Sequence, residues 1–181
     1  MSDSYITLVP NLVKEYESNN LATIVIDYLK QQNIIKSIKT DCTLGENLYP
    51  PGENYNLAVE EHNHCIMPFS INGLEVITKR SVFHNGGNGL DAVICPVSEV
   101  NVIDDDWQQP LQEWFDHTDS DNLICNYCKS VNLVICYVFV PTWGFGSLGF
   151  KFWNWPPVRK KFVKDIEQIC SREVKVIYGR I

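Results

Sequence analysis

The sequence predicts an α+β fold in which a sheet-and-helix core carries an inserted acidic subdomain. Three observations predict it. Strand-like runs and amphipathic helix patterns alternate at both ends of the chain, two cysteine-bearing turns mark out the middle, and charge changes abruptly at the borders of that middle. A chain of 181 residues is long for one domain and short for two, which suits one core plus an insert. With 45% hydrophobic and 12% aromatic residues, it can bury a sizeable core.

Taken in order, Tyr5–Val9 is a short β-prone run ended by Pro10. After the polar cluster Ser18-Asn19-Asn20, suited to capping, Leu21, Ile24, Val25, Tyr28 and Leu29 recur at helical spacing, which predicts a helix to about Gln32. Ile34–Lys39 supplies a second candidate strand. Residues 43–72, punctuated by Gly45, Pro50-Pro51-Gly52 and Pro68, read as a long excursion with one short helix around Tyr55–Glu61. Leu74–Phe83 alternates as a strand, and Asn85-Gly86-Gly87-Asn88-Gly89 follows as a turn of residues that tolerate positive φ.

Ala92-Val93-Ile94 leads into the middle segment, where Trp107, Leu111, Trp114 and Phe115 fall on one face of a small helix with acids on the other. Leu133–Val140 is an apolar strand ending at Pro141, and Phe150–Trp155 alternates again. Pro156-Pro157 opens a helix with Val158, Phe162, Ile166 and Ile169 on one face, and Val174–Tyr178 closes the chain as a strand. With the insert set aside, this order approximates the split β-α-β plan of a ferredoxin-like fold, an antiparallel sheet with helices on one face. The main domain is expected over residues 1–90 and 129–181, and the inserted subdomain over 91–128.

Charge is partitioned along the chain. Residues 81–128 hold nine acids and no lysine or arginine, whereas the net charge is −4 for residues 1–80 and +6 for residues 129–181. The acidic middle disfavours nucleic acid and anionic membrane and favours a cation or a basic protein. Seven cysteines, an odd number scattered through strand-like and helix-like segments, suit reduced thiols better than a disulfide framework. The acidic start lacks the basic region of a secretory signal, and no stretch reaches bilayer-spanning length, so a cytoplasmic protein is expected.

The strongest motif is Cys95-Pro96-Val97-Ser98 together with Cys125-Asn126-Tyr127-Cys128. This is the two-knuckle layout of a zinc ribbon, because each tight Cys-x-x-Cys turn aims two sulfurs at one point. Ser98 stands where the fourth thiolate belongs, and a neutral hydroxyl is a poor zinc ligand. The metal ligands are therefore Cys95, Cys125 and Cys128, with a fourth drawn from Cys136, His117, His84, Cys65 or the pair His62 and His64. The alternative is a ribbon that has lost its metal and is held by Trp107, Leu111 and Trp114. The cofactor expectation is either none or one structural zinc.

Other motifs carry less. Gly144-Phe145-Gly146-Ser147-Leu148-Gly149 matches a dinucleotide fingerprint in letters, but a strand-like segment follows where a helix is required, so close packing explains it better. Asp104-Asp105-Asp106 is a solvated acidic run, favourable just before a helix, and His62-Asn63-His64-Cys65 reads as a polar loop. The chain has no nucleophile elbow and no Walker A motif, and Cys42, Cys65, Cys136 and Cys170 are core or loop thiols.

On Gly86-Gly87-Asn88, Cys95-Pro96, Trp107, Cys125, Cys128, the aromatic strand Phe150–Trp155, the C-terminal helix and the last strand, residues 74–181 resemble a group of uncharacterised bacterial cytoplasmic proteins. In that group a ferredoxin-like domain carries an inserted Cys-Pro-x-Cys zinc ribbon. The resemblance implies a fold and no activity, and Ser98 departs from its pattern.

The functional expectation is a non-enzymatic binding protein whose insert docks a basic protein, such as an immunity protein against a basic toxin. Its binding residues are Asp104, Asp105, Asp106, Trp107, Glu113, Trp114 and Asp116, which combine steering charge with anchoring rings. One alternative is a small-ligand binder or enzyme with a pocket under loop 43–72, using Tyr49, Glu53, Tyr55, His62 and His64. Another is a zinc-dependent structural module.

Overall fold

The fold is an α+β arrangement of three α-helices and antiparallel sheets, seen in a computed structural model that describes residues 3–43, 46–60, 71–117 and 121–181. In chain order its elements are β1 (Ser4–Pro10), α1 (Glu15–Gln31), β2 (Thr40–Thr43), β3 (Glu46–Leu48), β4 (Gly73–Ile77), β5 (Ser81–Phe83), β6 (Ala92–Ile94), α2 (Gln108–Phe115), β7 (Asn122–Ile124), β8 (Val131–Leu133), β9 (Val138–Val140), β10 (Gly144–Gly146), β11 (Gly149–Trp153), α3 (Lys160–Cys170) and β12 (Val174–Arg180).

Four strands form the main sheet in the order β12-β1-β11-β4, every neighbour antiparallel. Because strand side chains alternate between faces, β1 sends Ile6 and Leu8 into the core shared with α1 and α3, together with Phe150 and Phe152 of β11 and Leu74 of β4. Each of these fully buried side chains contributes about 1.5–3 kcal/mol. The opposite face is also covered: Tyr5 and Trp153 pack with Leu48, while Val9 and Ile177 pack with Phe83. Gly149 permits that second contact, since a Cβ there would lie 2.3 Å from Phe83 Cε1.

The first helix starts earlier than its sequence pattern predicts. Ser18-Asn19-Asn20 is not its cap, because Glu17 accepts a hydrogen bond from the Lys14 N–H at 3.0 Å and closes the helix start there. Ser18 is instead fully buried one turn in, where its hydroxyl donates to the carbonyls of Glu15 and Thr78. Ser18, Ala22, Val25 and Leu29 form the buried stripe, and Ile24 faces solvent. In α3 the buried residues are Phe162, Ile166 and Cys170, and the helix stops at Ser171 in the left-handed conformation.

Two predicted strands differ from the observed ones. Residues 34–39 contribute only a bridge from Ile35 to Pro51, because Ile34 and Ile35 are drawn into the main core and the chain pairs first at β2 with β3. The run Leu74–Phe83 breaks between β4 and β5, whose halves join different sheets; β5 pairs with β10. Loop 43–72 is tied down at Tyr49 against Leu74 and at Val59 against Val158. Among the described residues of this loop, the helix expected over Tyr55–Glu61 is a 3-10 turn over Tyr55–Leu57, and Glu61 lies outside them. Tyr49 and Tyr55 both pack on the main core.

A second core lies in the middle of the chain. It gathers Val93 of β6 and Cys95 just after it, Trp107 and Trp114 around α2, Leu123 and Cys125 at β7, and Val134, Tyr137, Phe139 and Phe145. This cluster continues past residue 128, because β9 pairs with β6 across Val93 and Phe139. The Gly144–Gly149 motif lies on β10 and the start of β11, with strand on both sides.

Candidate metal centre and acidic face

The two cysteine turns fold alike although their sequences share little. In the first, the Cys95 N–H donates to Val100 O at 3.0 Å and the Glu99 N–H to Cys95 O at 3.1 Å. In the second, the Cys125 N–H donates to Ser130 O at 3.0 Å and the Lys129 N–H to Cys125 O at 2.8 Å. Each turn places its fifth residue in the left-handed region, Glu99 at φ 58° and Lys129 at φ 60°. β6 leads into the first turn and returns through the Ile94–Asn101 bridge, whereas β7 and β8 flank the second. Asp105, on the segment that follows the first turn, holds the second, since its carboxylate accepts from the Asn126 side-chain amide at 2.8 Å and from the Asn126 N–H at 3.3 Å.

The sulfurs of Cys95, Cys125 and Cys128 all lie within 4.8 Å of one another, so this cluster can hold a metal ion. Cys95 Sγ and Cys128 Sγ are 3.8 Å apart, and Ser98 Oγ lies 3.6 Å from Cys125 Sγ. Cys95 and Cys125 are fully buried; Cys128 and Ser98 are half-buried. Ser130 Oγ is 3.0 Å from Cys128 Sγ and 3.8 Å from Cys95 Sγ. Asn132 donates to the Ser130 oxygen at 3.1 Å, which frees the hydroxyl proton for sulfur.

The electrostatics favour thiolate. Burial alone would raise the Cys95 thiol, but the Ser98 hydroxyl, the Ser98 and Val97 N–H groups and the Ser130 hydroxyl outweigh it and push the group down to about 6. Cys128 is also lowered, chiefly by the Ser130 hydroxyl and N–H. Tyr137 is pushed up to about 12 by burial and by the nearby Cys95 and Cys125 charges, while its hydroxyl donates to Leu123 O at 3.1 Å. A cation in the cluster would relieve this concentration of negative charge.

Among the described residues, none of the outside candidates completes the site. His117 faces Glu15 at 3.8 Å, and His84 packs beside the Trp143 ring with its Nδ1 accepting from the Gly86 N–H. Cys136 is exposed and outside the cluster. His62, His64 and Cys65 lie outside the described residues, as does the polar-loop reading of His62–Cys65.

The acidic residues form an outward face on the same subdomain. Asp104, Asp106 and Asp116 are exposed, whereas Asp105 and Glu113 are half-buried. Asp105, Asp106 and Glu113 line a groove of about 500 Å3 with Gln109, Ile124 and Asn126. Among the described residues no lysine or arginine makes an ion pair with Asp104, Asp105, Asp106 or Asp116; the ion pairs of the basic segment go to Glu75, Asp165 and Glu17.

The anchoring rings expected at Trp107 and Trp114 are not on this face. They are 9% and 5% exposed, because Trp107 packs edge-on to Phe139 and Trp143 and Trp114 packs edge-on to Phe145 under the Arg80 guanidinium. Phe115 of α2 is exposed at 45%, and the β7–β8 hairpin with its turn adds Ile124 at 54%, Val131 at 58% and Tyr127 at 74%. Ile124 and Val131 are cross-strand partners and so lie side by side. Sequence reasoning missed them because a three-residue strand carries too little alternation to reveal its solvent face. No helix among the described residues is long and apolar enough to cross a membrane. Compared with protein-family models, with curated proteins and with solved structures, the chain gave no match.

Proposed function

We propose that this is a non-enzymatic binding protein whose middle subdomain docks a basic protein partner. The observation that carries the reading is that Asp104, Asp106 and Asp116 are exposed and, among the described residues, make no ion pair with a lysine or arginine, beside a groove bordered by the exposed Ile124 and its strand partner Val131. Steering charge beside apolar contact area is what a specific protein interface needs. An immunity protein against a basic toxin is one role of this kind. In this reading one structural zinc at Cys95, Cys125 and Cys128 holds the two turns, and the four-stranded sheet with α1 and α3 follows the ferredoxin-like plan.

Asp105 also holds the second turn, so a test of the acidic face has to spare it. The triple variant D104K/D106K/D116K leaves Asp105 in place and changes only exposed acids. Affinity capture from an extract of the source cells, followed by mass spectrometry, should recover a basic protein with the wild type and lose it with the variant. The wild-type complex should also weaken steeply with salt. Equal recovery by both proteins, at unchanged folding, rejects the acidic face as the docking surface.

A further inference from the structure

The fourth corner of the cysteine cluster is occupied by the residue that breaks the motif. A tetrahedral zinc with Zn–S bonds of about 2.3 Å requires sulfurs about 3.8 Å apart, and with a Zn–O bond of about 2.0–2.2 Å it requires a sulfur-to-oxygen edge of about 3.5–3.7 Å. The Cys95–Cys128 separation of 3.8 Å matches the first edge, and the Ser98–Cys125 separation of 3.6 Å matches the second. Ser130 fits the corner less well, because its 3.0 Å approach to Cys128 is a hydrogen-bond distance and shorter than a coordination edge. Matched backbone hydrogen bonds in the two turns place Ser98 in the first as Cys128 is placed in the second.

We propose that Cys95, Cys125, Cys128 and the Ser98 hydroxyl form one tetrahedral site for a divalent zinc-type cation, with Ser130 donating to Cys128 from outside the coordination shell. The proposal rests on the reading of this cluster as a zinc site. The two fully buried ligands fix the inner edge of the site, while Ser98 and Cys128 form its solvent-facing edge. A neutral hydroxyl at that edge binds more weakly than a thiolate, so the ion exchanges there more readily than in a four-cysteine ribbon. Asn132 and Ser130 act as the outer support that metal sites use to orient a first ligand.

The test is a cobalt(II) titration of reduced, chelator-treated full-length protein, with zinc(II) competition, on the wild type, Ser98→Cys and Ser98→Ala. Far-UV circular dichroism checks that each variant is folded. The expected result is one cobalt per wild-type chain with tetrahedral visible bands and thiolate charge-transfer absorption. Ser98→Cys should raise that absorption by about one third, four thiolates against three, and tighten zinc by at least about tenfold. Ser98→Ala should keep the absorption and weaken zinc several-fold. If Ser98→Ala binds as tightly as the wild type, or Ser98→Cys adds no fourth thiolate band, the Ser98 assignment falls while the zinc reading stands. If the wild type takes up neither ion, both fall, and the docking reading is left to its own experiment.

Discussion

Replacing Phe139 by alanine tests whether the second core is what brings the two cysteine turns together. The Phe139 ring is 3% exposed and lies between three aromatic neighbours. It stacks on Trp143 at 4.9 Å with planes 6° apart, meets Trp107 edge-on at 5.7 Å and lies 5.5 Å from Phe145. Truncating a buried phenylalanine costs about 3–5 kcal/mol, and each aromatic pair is worth about 0.5–1.5 kcal/mol beyond area. These terms overlap, so we expect a loss of about 4–5 kcal/mol for Phe139→Ala, near the top of the cavity range. Phe139→Leu keeps most of the volume and should lose about 2 kcal/mol, the part owed to ring geometry. Urea unfolding followed by tryptophan fluorescence reads both, since Trp107, Trp114 and Trp143 report the second core and Trp153 and Trp155 the main sheet. Because β9 is paired through Phe139 to Val93, two residues before Cys95, Phe139→Ala should also weaken cobalt uptake. A loss below about 2 kcal/mol for Phe139→Ala would refute the packing argument, because no relaxation of a well-filled core recovers that much.

Other consequences follow from particular contacts. Asp105→Ala removes the strap to Asn126 and should weaken metal binding on the order of tenfold, read by the same titration, as loss of outer-shell support does elsewhere. Gly149→Ala should cost about 1–3 kcal/mol in thermal or urea unfolding, because its Cβ would stand 2.3 Å from the Phe83 ring. Burial pushes the Cys170 thiol up to about 11 from its ordinary 9.0, so its neutral form is favoured in the fold. The stability this contributes is fully present below pH 9.0 and is lost as pH rises through about 11; urea midpoints against pH should fall over that window and flatten in Cys170→Ala.

How much of this was legible in the sequence depends on how local the cause is. The small helix that starts just after Trp107 and carries Trp114 is written in apolar spacing and stands in the expected segment. The Gly144–Gly149 segment has no helix pattern after it, which points to packing, and it lies on strands. The start of α1 was misplaced because Ser18 has the chemistry of a cap, and only the distant Thr78 carbonyl shows why a serine sits buried inside the helix. Leu74–Phe83 looked continuous because alternation does not record that Thr78–Arg80 leaves one sheet for another.

Residue type and short-range spacing encode the α+β class, the partition of charge and the pairing of two cysteine turns directly. The same spacing puts Ser98 in the first turn at the position that Cys128 holds in the second. Which tryptophans are buried and which hairpin residues face solvent is set by the folded chain, since burial depends on partners far along the sequence. The fold alone brought Ser98 to 3.6 Å from Cys125, across 27 residues of sequence, by folding both turns with the same backbone hydrogen bonds. Spacing sets a Cys-x-x-Ser turn beside a Cys-x-x-Cys turn; convergence in space is what puts the serine hydroxyl beside the sulfurs.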